Sequence, residues 1–126
     1  MRLLLDSHVL VWWLADSPRL NRTIDAHLAN PDADIFVSAA TTWELAIKIS
    51  IGRLDVAIDD LMQVFTSGYA DKLDVTVAHG FMAAQLPMHH RDPFDRMLVA
   101  QARAEGLMLV TSDRALEHYD LPILWN

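Results

Sequence analysis

The chain has no cysteine, which excludes disulfide bridges and thiolate metal sites and fits a reducing compartment. Glycine and proline are scarce, at four and five residues, and fall where turns are expected. No repeat, low-complexity tract or linker interrupts the sequence, and 126 residues suit one domain, residues 1–126. Asp6 breaks the apolar N-terminal run, and no later stretch reaches the ~18 uncharged residues of a membrane span. The start also lacks the features of a signal peptide. A soluble cytoplasmic protein with no membrane partner is the expectation. Basic residues are outnumbered ten to seventeen, and the net charge of −7 argues at first against a polyanionic partner. Their distribution softens that objection. Lys48, Arg53, Arg91, Arg96, Arg103 and Arg114 share segments with the acids singled out below, whereas 55–74 holds five acids against Lys72 alone.

Short apolar runs alternate with longer helical patterns. Leu3–Leu5, Ile35–Val37, Leu73–Val77, Leu107–Val110 and Ile123–Trp125 read as strands. Helices are expected over Ser7–Ala15, Asn21–Ala29, through Trp43 and Ile49 to Gly52, over Asp59–Ala70, around Phe81–Gln85, and over Arg114–Tyr119. The plainest helix start is Asp92-Pro93, an N-cap followed by proline at the first helical position, with Gly106 past the end. Such alternation implies a mostly parallel α/β sheet of about five strands covered on both faces. Its ligand site belongs beyond the carboxyl ends of the strands.

Four acids fall near those ends. Asp6 follows the first strand, Glu44 lies in the helix after the second, Asp95 opens the helix leading into the fourth, and Asp113 follows the fourth. Four converging carboxylates repel one another, and divalent cations with oxygen ligands relieve that conflict. Each acid also has a plain structural reading. Glu44 and Lys48 form a favourable i,i+4 pair; Asp95 suits the helix dipole; Asp92 is an N-cap and can pair with Arg96; Asp6 and Asp113 can each cap the element that follows. His89-His90 lacks metal-site spacing, and adjacent residues on an extended segment point oppositely, so both are expected to be solvated loop histidines. His8 lies close to Asp6 in sequence and takes at most a supporting role. Val9–Leu14 is apolar all round, which suggests a buried helix or, where exposed, a partner surface.

At these residues the sequence resembles PIN-domain toxins of the VapC kind. The resemblance is carried by LLLDSHVLVWW (residues 3–13), VSAATTWELAIK (37–48), HHRDPFDRMLVAQA (89–102) and LVTSD (109–113), and it runs through to Leu121–Trp125. It implies a three-layer α/β/α fold with a central parallel sheet. It also implies a Mg²⁺- or Mn²⁺-dependent endoribonuclease, the toxin of a type II toxin–antitoxin system, held in check by a cognate antitoxin and forming a homodimer. Asp6, Glu44, Asp95 and Asp113 match the family's acidic quartet, with Asp6 and Asp95 as principal metal ligands. Asp92 would be secondary to the site, and Thr111 and Ser112 would orient water or phosphate. Ser7 stands where many relatives have threonine. Arg91, Arg96 and Lys48 are candidates for phosphate contact, each equally suited to pairing with a nearby acid. A phosphatase of the haloacid-dehalogenase type would need a second Asp where His8 stands. A receiver domain would need paired acids at the first strand and a late lysine. A catalytically silent PIN-like module that binds RNA or protein is the remaining alternative, and the intact quartet argues against it.

Overall fold

Leu3, Leu4 and Leu5 are all fully buried, which requires a strand covered on both faces. The computed structural model, which describes residues 1–126, places them in the first and central strand of a five-stranded sheet, β1 (Arg2–Leu5). The other strands are β2 (Asp34–Ser38), β3 (Asp71–Leu73), β4 (Met108–Thr111) and β5 (Ile123–Trp125). Their order is β3-β2-β1-β4-β5, and every pairing is parallel. The helices are α1 (Ser7–Leu14), α2 (Arg22–Ala29), α3 (Ala39–Ser50), α4 (Ile58–Thr66), α5 (Val77–Gln85) and α6 (Pro93–Glu105), with a 3₁₀ helix at Arg114–His118.

Side-chain alternation along the strands divides the core in two. Leu3, Leu5, Ile35, Val37 and Val110 pack against Val9 and Leu10 of α1, Ile24 and Leu28 of α2, Leu45 of α3, and Leu61 and Val64 of α4. On the opposite face Leu4 and Leu109 meet Leu98, Val99 and Ala102 of α6, together with Leu116 and Tyr119. The result is the expected α/β/α sandwich. Trp12 and Trp13 are half-buried against the first of these clusters, Trp13 edge-on to Tyr69.

Three expected boundaries move. The third strand is Asp71–Leu73, not Leu73–Val77; its three residues pair with Phe36–Ser38 at the sheet edge. The alternating Leu73-Asp74-Val75-Thr76-Val77 imitates a strand locally, but Thr76 forms a capping box with His79 and draws Val77 into α5. That helix therefore begins four residues before Phe81. Helix α4 stops at Thr66 rather than Ala70, where the chain turns through Gly68 at φ +82°.

The strand order fixes where a ligand can sit. From β1 the chain moves outward to β2 and β3, then returns to the other side of β1 as β4 and β5. The direction reverses between β1 and β4, and the crevice beyond their carboxyl ends is the topological switch point. Asp6 and Asp113 flank it, one immediately after β1 and the other two residues after β4.

Candidate active site

Asp95 lies within electrostatic reach of Asp6 and Glu44, and Asp6 within reach of Asp113, each acid delivered to that edge by a different element. Asp6 caps α1, its Oδ1 accepting the Val9 N–H at 2.9 Å, and Thr111 Oγ1 donates to its Oδ2. Glu44 comes from the second turn of α3, where Lys48 Nζ donates to Oε2 at 2.8 Å and Ser7 Oγ approaches the same oxygen at 3.4 Å. Asp95 sits in the first turn of α6. Asp113 caps the 3₁₀ helix through Ala115 N–H, and its own N–H donates to Thr111 Oγ1 at 3.0 Å. The plain structural readings of Asp6, Asp113 and Glu44 are thus correct, and the convergence is correct as well. Capping orients each carboxylate without consuming all its lone pairs.

Asp6 and Glu44 are buried, Asp95 is partly covered, and the Asp113 side chain is the most open, so access runs past Asp113. Burial raises the Asp6 carboxyl above its ordinary range; bonds from Thr111 and Val9 and the nearby His8 oppose this, and Asp113 adds to it. The Asp95 carboxyl is pushed up to about 7, first by burial and then by the charge of Asp92, with Asp6 and Glu44 adding to the rise against the opposing effect of His90. Lys48 pairs with Glu44, and the remaining carboxylates carry repulsion that no lysine or arginine neutralises. A hard divalent cation fits this donor set, which is all oxygen and short of positive charge.

The supporting residues divide. Thr111 is fully buried and bridges Asp6 to the Asp113 backbone, so it braces the acids and has no free face for phosphate. Ser112 is half-exposed beside them. Asp92 is the N-cap of α6, accepting the N–H groups of Phe94 at 2.8 Å and Asp95 at 3.3 Å. Its expected pairing with Arg96 does not occur. Arg96 is 8% exposed and donates to the carbonyls of Ala83, Leu86, Pro87 and His90 and to Tyr119 Oη. That places it away from phosphate, as a clamp on the loop before α6. Arg91 is exposed, and Arg114 stacks over Trp125 at 4.2 Å.

One residue at the centre was misjudged from sequence. His89 is exposed as expected, edge-on to Tyr119, but His90 turns inward. Its Nε2 lies 2.8 Å from Asp113 Oδ2 and 3.1 Å from Asp95 Oδ2. The opposed directions of neighbouring residues were legible; which of the two faces inward depends on Asp113, 23 residues away.

Comparison with known proteins identifies the family. The family model described as PIN domain matches residues 3–121. A ribonuclease of Mycobacterium tuberculosis, VapC22, is 32% identical over 121 residues, covering 94% of this chain and 92% of that protein. Among solved structures, VapBC2 of Rickettsia felis bound to a promoter DNA fragment superposes with a TM-score of 0.73 over the full length of both chains at 15% identity. A toxin–antitoxin complex from Klebsiella pneumoniae gives 0.67 over 97% of this chain and 95% of its counterpart, at 13% identity. At such low identity these two structures speak to the fold alone. The family model and the M. tuberculosis relative each span nearly the whole chain, and the protein belongs to the PIN domain family.

Proposed function

We propose that this protein is the toxin of a type II toxin–antitoxin system, a divalent-metal-dependent endoribonuclease that acts as a single PIN domain over residues 1–126. The observation that carries the reading is the meeting of Asp6, Glu44, Asp95 and Asp113 at the switch point, with the Asp95 carboxyl pushed up to about 7 by burial and like charge. The name of the M. tuberculosis relative supports ribonuclease activity, and the toxin–antitoxin complexes among the structural relatives support a proteinaceous antitoxin as partner. A second copy of the chain is a further proposed partner. The absence of any helix long and apolar enough to cross a membrane is consistent with a cytoplasmic place of action.

Asp6 and Asp95 are the principal ligand carboxylates, and Glu44 and Asp113 complete the set. Bound there, Mg²⁺ or Mn²⁺ would supply an acidified water as nucleophile and neutralise charge on the phosphodiester. The chain's own contribution is orientation. Thr111 and the Val9 N–H fix both oxygens of Asp6, Lys48 and Ser7 hold Glu44, and the Ala115 N–H holds Asp113. Rigid helix ends and strand ends carry all four, so little reorganisation accompanies the reaction. Exposed Arg91, beside the cluster in sequence, is available to phosphate.

The test is cleavage of a mixed pool of structured and single-stranded RNAs by antitoxin-free protein with Mg²⁺, Mn²⁺ or chelator. Folded Asp6→Asn and Asp95→Asn variants run alongside. Metal-dependent cleavage abolished in both variants is expected. Cleavage that survives chelation, or a wild type that neither cleaves nor binds metal by calorimetry, would overturn the reading in favour of a non-catalytic binding module.

A further inference from the structure

His90 is held on several sides before it reaches the acids. Its N–H donates to Tyr119 Oη at 3.1 Å, and its carbonyl accepts from Arg96 at 3.3 Å. Arg96 also donates to the Pro87 carbonyl at 3.0 Å, which fixes the start of the same loop. The backbone N–H of Asp92 then donates to His90 Nδ1 at 3.1 Å. A backbone amide only donates, so Nδ1 must present its lone pair and the ring proton must be on Nε2.

That proton points to Asp113 Oδ2, and Asp95 Oδ2 lies 3.1 Å from the same nitrogen. His90, Asp95 and Asp113 offer ligand atoms within 4.8 Å of one another, the outline of a three-residue metal site. The tautomer argues otherwise. A nitrogen that donates its proton to the Asp113 carboxylate has no lone pair for a cation.

We propose that His90 is a positioning residue of this centre and not one of its ligands. Its Nε2–H holds the Asp113 carboxylate through Oδ2, and Asp95 Oδ2, from a different element, packs 3.1 Å from the same nitrogen. Asp95 Oδ1, for which the structure records no partner, remains free as a ligand atom. Two carboxylates that would otherwise swing apart are ordered in advance, and a cation need not pay that ordering on arrival. The inference rests on the divalent-metal reading above, and its test separates the two.

Mn²⁺ affinity is measured by calorimetry for wild type, His90→Asn and His90→Gln, with folding checked by circular dichroism. The side-chain nitrogen of glutamine reaches about where imidazole Nε2 lies, whereas that of asparagine reaches only the Nδ1 position. His90→Asn is expected to weaken Mn²⁺ binding roughly 10–100-fold, the usual loss when a partner of a ligand is removed. His90→Gln should restore most of it, which general damage to the fold would not permit. In parallel, imidazole ¹⁵N spectra of wild type should show the Nε2–H tautomer both without metal and with saturating Mg²⁺. Equal affinities in all three proteins, or conversion of His90 to the Nδ1–H tautomer on adding Mg²⁺, would overturn the proposal alone. No Mn²⁺ binding by wild type would overturn the metal reading and this proposal with it.

Discussion

Helix α6 carries a histidine–carboxylate contact at each end. At its C-terminal end His79 Nε2 lies 2.8 Å from Glu105 Oε1, while His79 Nδ1 accepts the Thr76 N–H at 3.1 Å. At its N-terminal end His90 Nε2 meets Asp113 and Asp95, while Nδ1 accepts the Asp92 N–H, also at 3.1 Å. The local device is the same: a backbone amide sets the tautomer and the far nitrogen donates to an acid. The surroundings differ. His79 is buried in the first turn of α5 and serves a capping box, and its single acid is a partly exposed side chain at the end of α6. His90 donates to Asp113 and lies against Asp95 at the sheet's switch point, with Asp6 and Glu44 within electrostatic reach of Asp95. A histidine–carboxylate pair is ordinary scaffolding. Unneutralised charge gathered from several elements is what distinguishes the site.

Substitution at the two ends should separate them most sharply in catalysis. Asp95→Asn is expected to lower RNA cleavage beyond the roughly 10–100-fold typical of outer partners, since it removes a proposed ligand itself. Glu105→Gln should leave cleavage unchanged within about twofold, because Glu105 is exposed and sits at the far end of α6 from the four acids. Single-turnover rates on one RNA substrate provide the measure, and equal losses at the two ends would erase the distinction.

Arg96 links the N-terminal end to the rest of the fold. Arg96→Met leaves several carbonyls without their donor, each costing ~1–3 kcal/mol when buried. A loss of about 3 kcal/mol or more in urea unfolding is expected, together with weaker Mn²⁺ binding as the loop carrying His90 loosens. The corresponding change at the other end, His79→Ala, strands the Thr76 N–H and should cost ~1–3 kcal/mol with no change in Mn²⁺ affinity.

The pH dependence of stability offers a third contrast. Asp95 titrates near 7 when folded and near 3.8 when unfolded, so the metal-free native state binds the extra proton between those values. Stability from this group is therefore full below about pH 4 and falls as pH rises towards 7, by at most ~1.4 kcal/mol per pH unit. Thermal denaturation of chelated protein should show that fall after subtraction of the same profile for Asp95→Asn. Saturating Mg²⁺ should suppress it. Glu105→Gln should leave the profile as it was.

The elements were legible where one chemical signal dominated. Asp92-Pro93 and Gly106 bound α6 as read, with Gly106 in the left-handed region at φ +65°, and the leucines of β1 marked a strand buried on both faces. The quartet was legible because parallel strands place residues from distant segments at one edge. What escaped depended on contacts remote in sequence. Asp71–Leu73 is a strand because β2 offers it an edge, whereas the β-branched Val75 and Val77 carry a stronger local signal. Arg96 reads as a surface cation, yet a loop of free carbonyls folds over it. His90 reads as a loop residue because its partner Asp113 lies beyond the whole of α6 and β4.

The smallest effect tests whether donors at the site act by orientation or by charge. Lys48 and His90 each donate to quartet acids, but Lys48 brings a full positive charge and a partly exposed, flexible stem. Lys48→Met keeps helix propensity and length, and the lost i,i+4 pair should change stability by about 0.5 kcal/mol or less. Its ammonium also repels any cation bound beside Glu44. Removing it should therefore strengthen Mn²⁺ binding, by less than about tenfold at low salt, with the gain fading as salt screens the charge. His90→Asn is expected to act in the opposite direction, because the imidazole serves to order its acids. If Lys48→Met instead weakened Mn²⁺ binding, orientation of Glu44 would outweigh charge, and the lysine would join His90 among the residues that hold the carboxylates in place.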